Sequence, residues 1–448
     1  MRIKIAGAGA GKTTTMAERI IAKHKELPTD KIIYCITFTN SAVNCITEKL
    51  NEHYGIIPQS IKLSTIHSFL YQDIIKPYYY LLYGKQYERI SSIELNPIPK
   101  FKNTKISELE RCNILHVEVF TERAKWVICK KSTDKKKDKE KRKIVLNNFS
   151  KYCGHIFIDE AQDMDKHMLE IVRGLDDFSI PLELIGDPKQ DLKGSDSLRK
   201  IVKDFPENTE HINKCYRCPQ KHLDISNTLI PTSEKQKSKK IEGILNIYFE
   251  SETDVKMLIA KENFDLMYIS QKNERYSTSQ QTESNHQVET LFHEIEQFFQ
   301  THDSTKDKSA VSIKQISYFF TIKLMNEYQE TKDPKKSMKK ICSAFSMDKQ
   351  EYAKIIQALQ NSVEKSSSKV AVSSIDKVKG QEGENCLFIL TKELAPYLFG
   401  EKKDNNKTKN RLYVALTRSL DKLSIVVSNE VEKSYSKDFV SNYFKQFI

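Results

Sequence analysis

The chain has 448 residues, 39% of them hydrophobic, so wholesale disorder is excluded and two to four globular units are expected. Lys and Arg outnumber Asp and Glu, 72 to 60, for a net charge of +12. That balance favours a polyanionic partner, nucleic acid first, or else reflects a Lys-rich solvated surface. The nine cysteines are scattered, no secretory leader precedes the first strand, and no run approaches the ~18 apolar residues of a membrane span. The expectation is therefore a cytoplasmic protein with no membrane partner.

Residues 2–6 alternate and are β-prone, which predicts a strand. A glycine-rich run follows, and then Met16, Ala17, Ile20 and Ile21 recur at helical spacing. Further strand candidates are Ile32–Ile36, Ile156–Ile158, Leu182–Ile185, Leu266–Ile269, Val370–Ser373, Leu387–Leu390 and Leu423–Val427. Helical patterns lie between many of them, and that alternation predicts an α/β chain with parallel sheets.

Two stretches break the alternation. Residues 71–149 hold the aromatic run "PYYYLLYG", read as core or as base-stacking tyrosines. They then hold "KSTDKKKDKEKRK" at 131–143, with eight basic residues against three acids. This run reads as a solvated face or as a nucleic-acid contact. Residues 281–365 read as four helices. The first carries Val288, Leu291, Phe292, Ile295, Phe298 and Phe299, and the second Ile316, Phe319, Phe320 and Met325. The third carries Met338, Ile341, Cys342 and Phe345, and the fourth Tyr352, Ile355, Ile356 and Leu359. The linker-like "EKSSSK" closes the segment. Cys215 and Cys218 have CxxC spacing, but a zinc site needs about four ligands and no second CxxC accompanies them.

The chemistry begins at "AGAGAGKTT", residues 6–14. Between a strand and a helix N-terminus, Gly7, Gly9 and Gly11 let backbone N–H groups turn toward an anion. Ala8 and Ala10 complete the loop. Lys12 would reach the β and γ phosphates, and Thr13 would ligate Mg²⁺. "HIFIDEAQDM" supplies the second piece: a buried strand ending in Asp159-Glu160. A carboxylate there can hold Mg²⁺ beside the phosphate loop, and Glu160 can polarise the attacking water.

Taken together, "AGAGAGKT" and "DEAQD" resemble the UvrD/Rep-like branch of superfamily 1 helicases, whose loop commonly begins with Ala. The remaining motifs follow in that family's order: "ITFTNSAV" (36–43), "STIHSF" (64–69), "LIGDPKQ" (184–190), "NKCYRCP" (213–219), "SSIDKVKGQEGE" (373–384) and "NRLYVALTR" (410–418). The resemblance implies two RecA-like parallel-sheet domains, each with a mainly helical insertion. Its boundaries would be 1–70 with 150–210 for the first domain and 71–149 for its insertion. The second domain would be 211–280 with 366–448, and its insertion 281–365.

It also implies roles. Gln190 would sense the γ-phosphate, and Arg217 and Arg418 would clamp it, since a fixed guanidinium stabilises charge on a transferring phosphoryl group. Tyr216 would stack on adenine and Glu382 would bond the ribose. Phe38, Thr39, Asn40 and His67 would contact the nucleic-acid strand. The implied activity is an ATP- and Mg²⁺-dependent 3′ to 5′ translocase or helicase on single-stranded or tailed duplex DNA. The alternative is an ATPase subunit of a larger complex, with a nuclease as partner, in repair or anti-phage defence.

Four departures from the family pattern matter. The glutamine about twenty residues before the loop has no counterpart, because Ala6 is preceded by five residues. Thr14 stands where many relatives have Arg. Loose base selectivity is therefore expected, with GTP within roughly tenfold of ATP, about 1.4 kcal/mol. "DLKGSDSL" (191–198) lacks the aromatics that stack bases, and Asp376 stands where His is usual.

Overall fold

The computed structural model describes residues 1–278, 282–305, 308–331, 333–363 and 370–447. They form two compact units, Met1–Phe249 with Lys379–Ile448, and Glu250–Val378.

The first unit is built on a six-stranded sheet among the described residues. Its strands are Arg2–Ala6 (β1), Ile32–Thr37 (β2), Ile61–Thr65 (β3), Cys153–Ile158 (β4), Leu182–Gly186 (β5) and Thr209–Ile212 (β6). The order is β3-β2-β4-β5-β1-β6, and every pairing is parallel. Strands β4 and β5 are buried along their whole length, as expected of strands covered on both faces. Strands β3 and β6 are half exposed, so they lack the continuous apolar run by which the others are legible. Because all six run the same way, the loops after β1, β2, β4 and β5 leave from one edge. Ligands collect at that edge in open α/β sheets. Helix α1 (Lys12–Glu26) follows β1, and α2 (Asn40–Tyr54) follows β2.

The segment after β3 is helical almost from its start, Ile66 to Tyr83. Tyr78 and Tyr79 are buried while Tyr80 is exposed, so the aromatic run is largely core. Later come α3 (Phe120–Ile128) and α4 (Lys136–Tyr152). The basic run is neither wholly solvated nor wholly free for a partner. Arg142 is buried, 2.6 Å from Asp134. It donates to the carbonyls of Trp126 and Val127 at 2.9 and 3.1 Å, and so satisfies the last turn of α3.

The same unit holds a second parallel set, β7 (Ile244–Phe249), β8 (Gly383–Leu390) and β9 (Ser419–Val427), with β9 in the centre. Helix α5 (Lys407–Leu416) leads into β9 and buries Leu412 through Leu416.

In the second unit, Leu266–Ile269 pairs in parallel with Ser373–Ser374. Its four longest helices run Thr282–Thr301, Ala310–Thr331, Pro334–Ala344 and Lys349–Val363. They enclose a core that includes Leu291, Ile295, Phe298, Phe299, Leu324, Met338, Ile341, Ile355 and Leu359. Phe319 and Cys342 stand in solvent instead. The first shares its helix with Phe320 at an adjacent position, and only Phe320 reaches the core. The side chain of Val288 and the linker at 364–369 lie outside the described residues. Among those residues no helix is long and apolar enough to cross a membrane.

Candidate nucleotide site and strand-binding edge

Ala6 is buried at the end of β1, so a larger side chain or a glycine would gain nothing there. Gly9 and Gly11 have φ of 64° and 76°, a region that favours glycine. Gly9 is required for space as well: a Cβ there would lie 2.3 Å from Cβ of Arg217 and 2.9 Å from Sγ of Cys215. Helix α1 starts at Lys12 with no acid in its first turn. Its N-terminal N–H groups therefore keep their positive potential for a ligand. Lys12 and Thr13 are half-buried and Thr14 is exposed.

Asp159 and Glu160 leave the end of β4. The backbone N–H of Asp159 donates to the carbonyl of Ile36 at 2.9 Å, a last rung to β2. Glu160 has a left-handed φ of 50°, a strain stored at the bend. Its carboxylate lies 4.0 Å from Nζ of Lys12. It also accepts a hydrogen bond from Gln162. Burial, then the neighbouring Glu160, pushes the Asp159 carboxyl up to about 7, and Lys12 offsets only part of this. Burial alone would raise Glu160 too, but Lys12 and then Lys379 hold it below the usual range. The buried Asp159 carboxyl, beside half-buried Glu160, thus lacks positive charge of its own. That is the setting a divalent cation relieves. Among the described residues no cluster of three protein ligands exists. One or two carboxylates completed by phosphate oxygens suit Mg²⁺, so the donors present fit that ion.

Gln190 follows β5 and donates to Asp187 at 2.9 Å. The N–H of Asp187 donates to Oε1 of Gln162, also at 2.9 Å. Burial would raise Asp187, but Lys189 and then Lys12 hold it low. Lys189 itself is buried, 2.8 Å from Asp187 and 3.0 Å from Glu234. The loops after β1, β4 and β5 are in this way tied into one polar network.

The segment after β6 closes over the loop. The N–H of Tyr216 donates to the carbonyl of Gly9 at 2.8 Å, while its ring remains 55% exposed, open for stacking. Arg217 pairs with Glu382 at 2.6 Å, so two residues expected to touch opposite ends of a nucleotide touch each other here. Arg418 is fully buried. It donates to the carbonyls of Val414 and Gln381 at 3.0 and 3.2 Å and to the hydroxyl of Thr417 at 3.3 Å.

A closed ring of hydrogen bonds surrounds Ala8. Its N–H donates to the Tyr413 hydroxyl at 3.2 Å. That hydroxyl donates to Oε1 of Gln236 at 2.7 Å, and Nε2 of Gln236 donates back to the Ala8 carbonyl at 2.9 Å. Asn227 fixes the Gln236 backbone through a reciprocal pair at 2.9 Å each way. Sequence reading missed Gln236, Tyr413, Gln162 and Asp187. Three of them lie inside motif segments, which was the available signal, and Gln236 had none.

The expected strand contacts lie at the same edge of the sheet, after β2 and β3. Thr39 caps α2 by accepting from the N–H of Ala42 at 3.2 Å, and Asn40 is exposed beside it. Phe38 is half-buried, with Nζ of Lys193 5.4 Å from its ring centre. His67 packs edge-on to Phe120 at 5.8 Å, and its pKa is lowered by burial and then by Lys193. Lys193 lies in the stretch that lacks aromatics, and it brings a cation to this edge where a stacking ring was expected.

A family model described as an AAA domain matches residues 1–195. Gabija protein GajB of Bacillus cereus (strain VD045) is 30% identical over 238 residues, covering 50% of this chain and 45% of that protein. An ATP-dependent helicase/nuclease subunit of Anoxybacillus flavithermus is 35% identical over 96 residues, 17% of this chain and 8% of that one. DNA helicase II of Haemophilus influenzae is 25% identical over 107 residues, 23% and 15% respectively. The matched part is less than half the length of each of these relatives.

Proposed function

We propose that this chain, a superfamily 1 helicase-like protein, is an ATP-dependent single-stranded DNA translocase or 3′ to 5′ helicase. The observation that carries the reading is the polar network joining Lys12, Glu160, Gln162, Asp187 and Gln190 at one edge of a parallel sheet. Strand geometry supplies this convergence, and phosphoryl transfer needs it: the catalyst mostly positions groups and stabilises charge.

In this reading the loop Gly7–Thr14 and the α1 N-terminus bind the phosphates. Lys12 draws the terminal phosphates, and Glu160, ionised beside Lys12, accepts the proton of the attacking water. Gln190, held by Asp187, faces the terminal phosphate. Thr13 and Asp159 would hold Mg²⁺, which supplies charge neutralisation on the phosphate oxygens when bound. Arg217 exchanges Glu382 for the γ-phosphate, freeing Glu382 for the ribose, and Tyr216 stacks on the base. Arg418 joins the clamp by leaving its carbonyl partners. Phe38, Thr39, Asn40, His67 and Lys193 line the path of the strand. The division into 1–70 with 150–210, 71–149, 211–280 with 366–448, and 281–365 belongs to the same proposal.

A second reading is a DNA-responsive ATPase subunit of a larger complex, with a nuclease as partner, in repair or anti-phage defence. The name of one relative, a helicase/nuclease subunit, favours it. Strand displacement on 3′- and 5′-tailed duplexes separates the two. Unwinding of the 3′-tailed substrate by the chain alone supports the first reading. DNA-stimulated ATPase without strand separation supports the second.

A further inference from the structure

The CxxC pair has no part in the function above. Cys215 and Cys218 are both free, and both are completely buried. They bracket Tyr216 and Arg217, which also meet the loop at Gly9. The N–H of Cys218 donates to Sγ of Cys215 at 3.4 Å. Sγ of Cys215 in turn abuts Gly9 so closely that a Cβ there would fall 2.9 Å from it. We propose that Cys215 and Cys218 are a reversible disulfide-forming pair that controls the phosphate loop through the Tyr216–Gly9 contact.

The pair is chemically asymmetric, as a nucleophile and a resolving thiol should be. Hydrogen bonding from Cys218, and the N–H groups of Cys218 and Arg217, bring the Cys215 thiol down to about 6 against the opposing effect of burial. The Cys218 thiol is raised by its bond to Cys215 and by burial. Of the two, Cys215 is the thiol more readily ionised, and its sulfur is the attacking one. With hydrogen peroxide as oxidant, the Cys215 sulfur attacks one peroxide oxygen and the O–O bond breaks. Hydroxide leaves and takes a proton to become water, and Cys215 carries a sulfenic acid. The Cys218 sulfur then attacks that sulfur and the S–O bond breaks. The departing hydroxide takes the Cys218 proton as the second water. Two thiols lose two electrons, and one peroxide is reduced to two waters.

Because both sulfurs are buried, the reaction requires local opening of residues 213–219 and a small oxidant. A disulfide would impose its own dihedral and sulfur spacing on a bend that now directs the Cys218 N–H at the Cys215 sulfur, 3.4 Å away. Forming it reorients the Tyr216–Arg217 segment. The Tyr216–Gly9 hydrogen bond and the Arg217–Glu382 pair are the contacts that must give.

The consequence for nucleotide rests on reading the loop as a nucleotide site, so the test keeps the two claims apart. The full chain is treated with hydrogen peroxide, free thiols are alkylated, and disulfides are mapped by mass spectrometry. Amide exchange over 213–219 and binding of a fluorescent ATP analogue are measured before and after dithiothreitol. The expected result is a Cys215–Cys218 disulfide, faster exchange at Tyr216, and at least tenfold weaker nucleotide binding, all reversed by reductant. Cys215→Ser should bind nucleotide normally and resist peroxide. Finding both thiols reduced while the exposed Cys45 and Cys112 are oxidised overturns the proposal, as does a mapped disulfide with unchanged exchange. If reduced protein binds no nucleotide, the nucleotide reading fails, while the disulfide map and the exchange rates still decide the thiol pair.

Discussion

The edge of the six-stranded sheet and the helical core of residues 282–363 use buried polar groups in opposite ways. At the sheet edge, Asp159, Asp187 and Lys189 are buried with charges that depend on their neighbours', and buried Gln190 donates to Asp187. In the helical core, the buried polar groups Ser317 and Thr321 satisfy themselves, each donating to the carbonyl four residues back at 2.7 and 2.8 Å. The first arrangement holds charge that its own neighbours only partly balance; the second is complete in itself. Buried polarity therefore marks function only where it is not locally satisfied.

This contrast is open to direct attack. The largest effect is expected from Lys12→Ala or Glu160→Gln. Each should reduce ATP turnover at least about 10³-fold while urea unfolding shifts little, because neither side chain belongs to an apolar core. A large stability loss in Lys12→Ala would make the loop a structural element instead.

The converse substitution is Phe299→Ala. Phe299 is fully buried and packs edge-on to Phe345 at 5.0 Å. Its truncation should cost about 3–5 kcal/mol in the helical core, read by denaturant unfolding, and leave turnover per folded molecule within about twofold.

His155 offers a pH test in the sheet. Burial, then Lys23, Arg19 and Arg2, lower its pKa to about 4, and neither ring nitrogen has a hydrogen-bond partner. The unfolded chain takes up this proton near pH 6.5 and the folded chain only near 4. Stability is thus fully present above 6.5 and falls as pH drops through that window, by ~3 kcal/mol at most. His155→Phe should flatten the curve between those pH values; an unchanged curve would contradict the assignment.

The smallest effect concerns the ring around Ala8. Tyr413→Phe leaves the Ala8 N–H without its acceptor, about 1 kcal/mol or somewhat more. It should raise KM for ATP up to about tenfold with kcat within twofold. Gln236→Leu should do the same, and the double variant should add little, because the three bonds act as one ring.

The elements most legible in the sequence were those with continuous apolar runs, such as Ile156–Ile158 and Leu182–Ile185, where burial on both faces leaves no polar interruption. Ile61–Thr65 and Thr209–Ile212 went unread because edge strands alternate weakly and end among polar residues. In the site, Lys12, Thr13, Asp159 and Glu160 could be named from local pattern, since loop, strand and helix are contiguous around them. Gln236 could not. It meets Ala8 across 228 residues of chain, and nothing in its own neighbourhood carries that information. The same holds for the Arg217–Glu382 pair, whose members were each legible but whose mutual contact was not.

The central claim is that the charge stored at the sheet edge serves hydrolysis coupled to a nucleic-acid strand. The most direct measurement is steady-state ATPase of the full chain with Mg²⁺, titrated with single-stranded DNA and run beside Lys12→Ala. The account predicts stimulation of at least tenfold that is absent in the variant. Turnover that is identical with and without DNA, or that survives in Lys12→Ala, would contradict it.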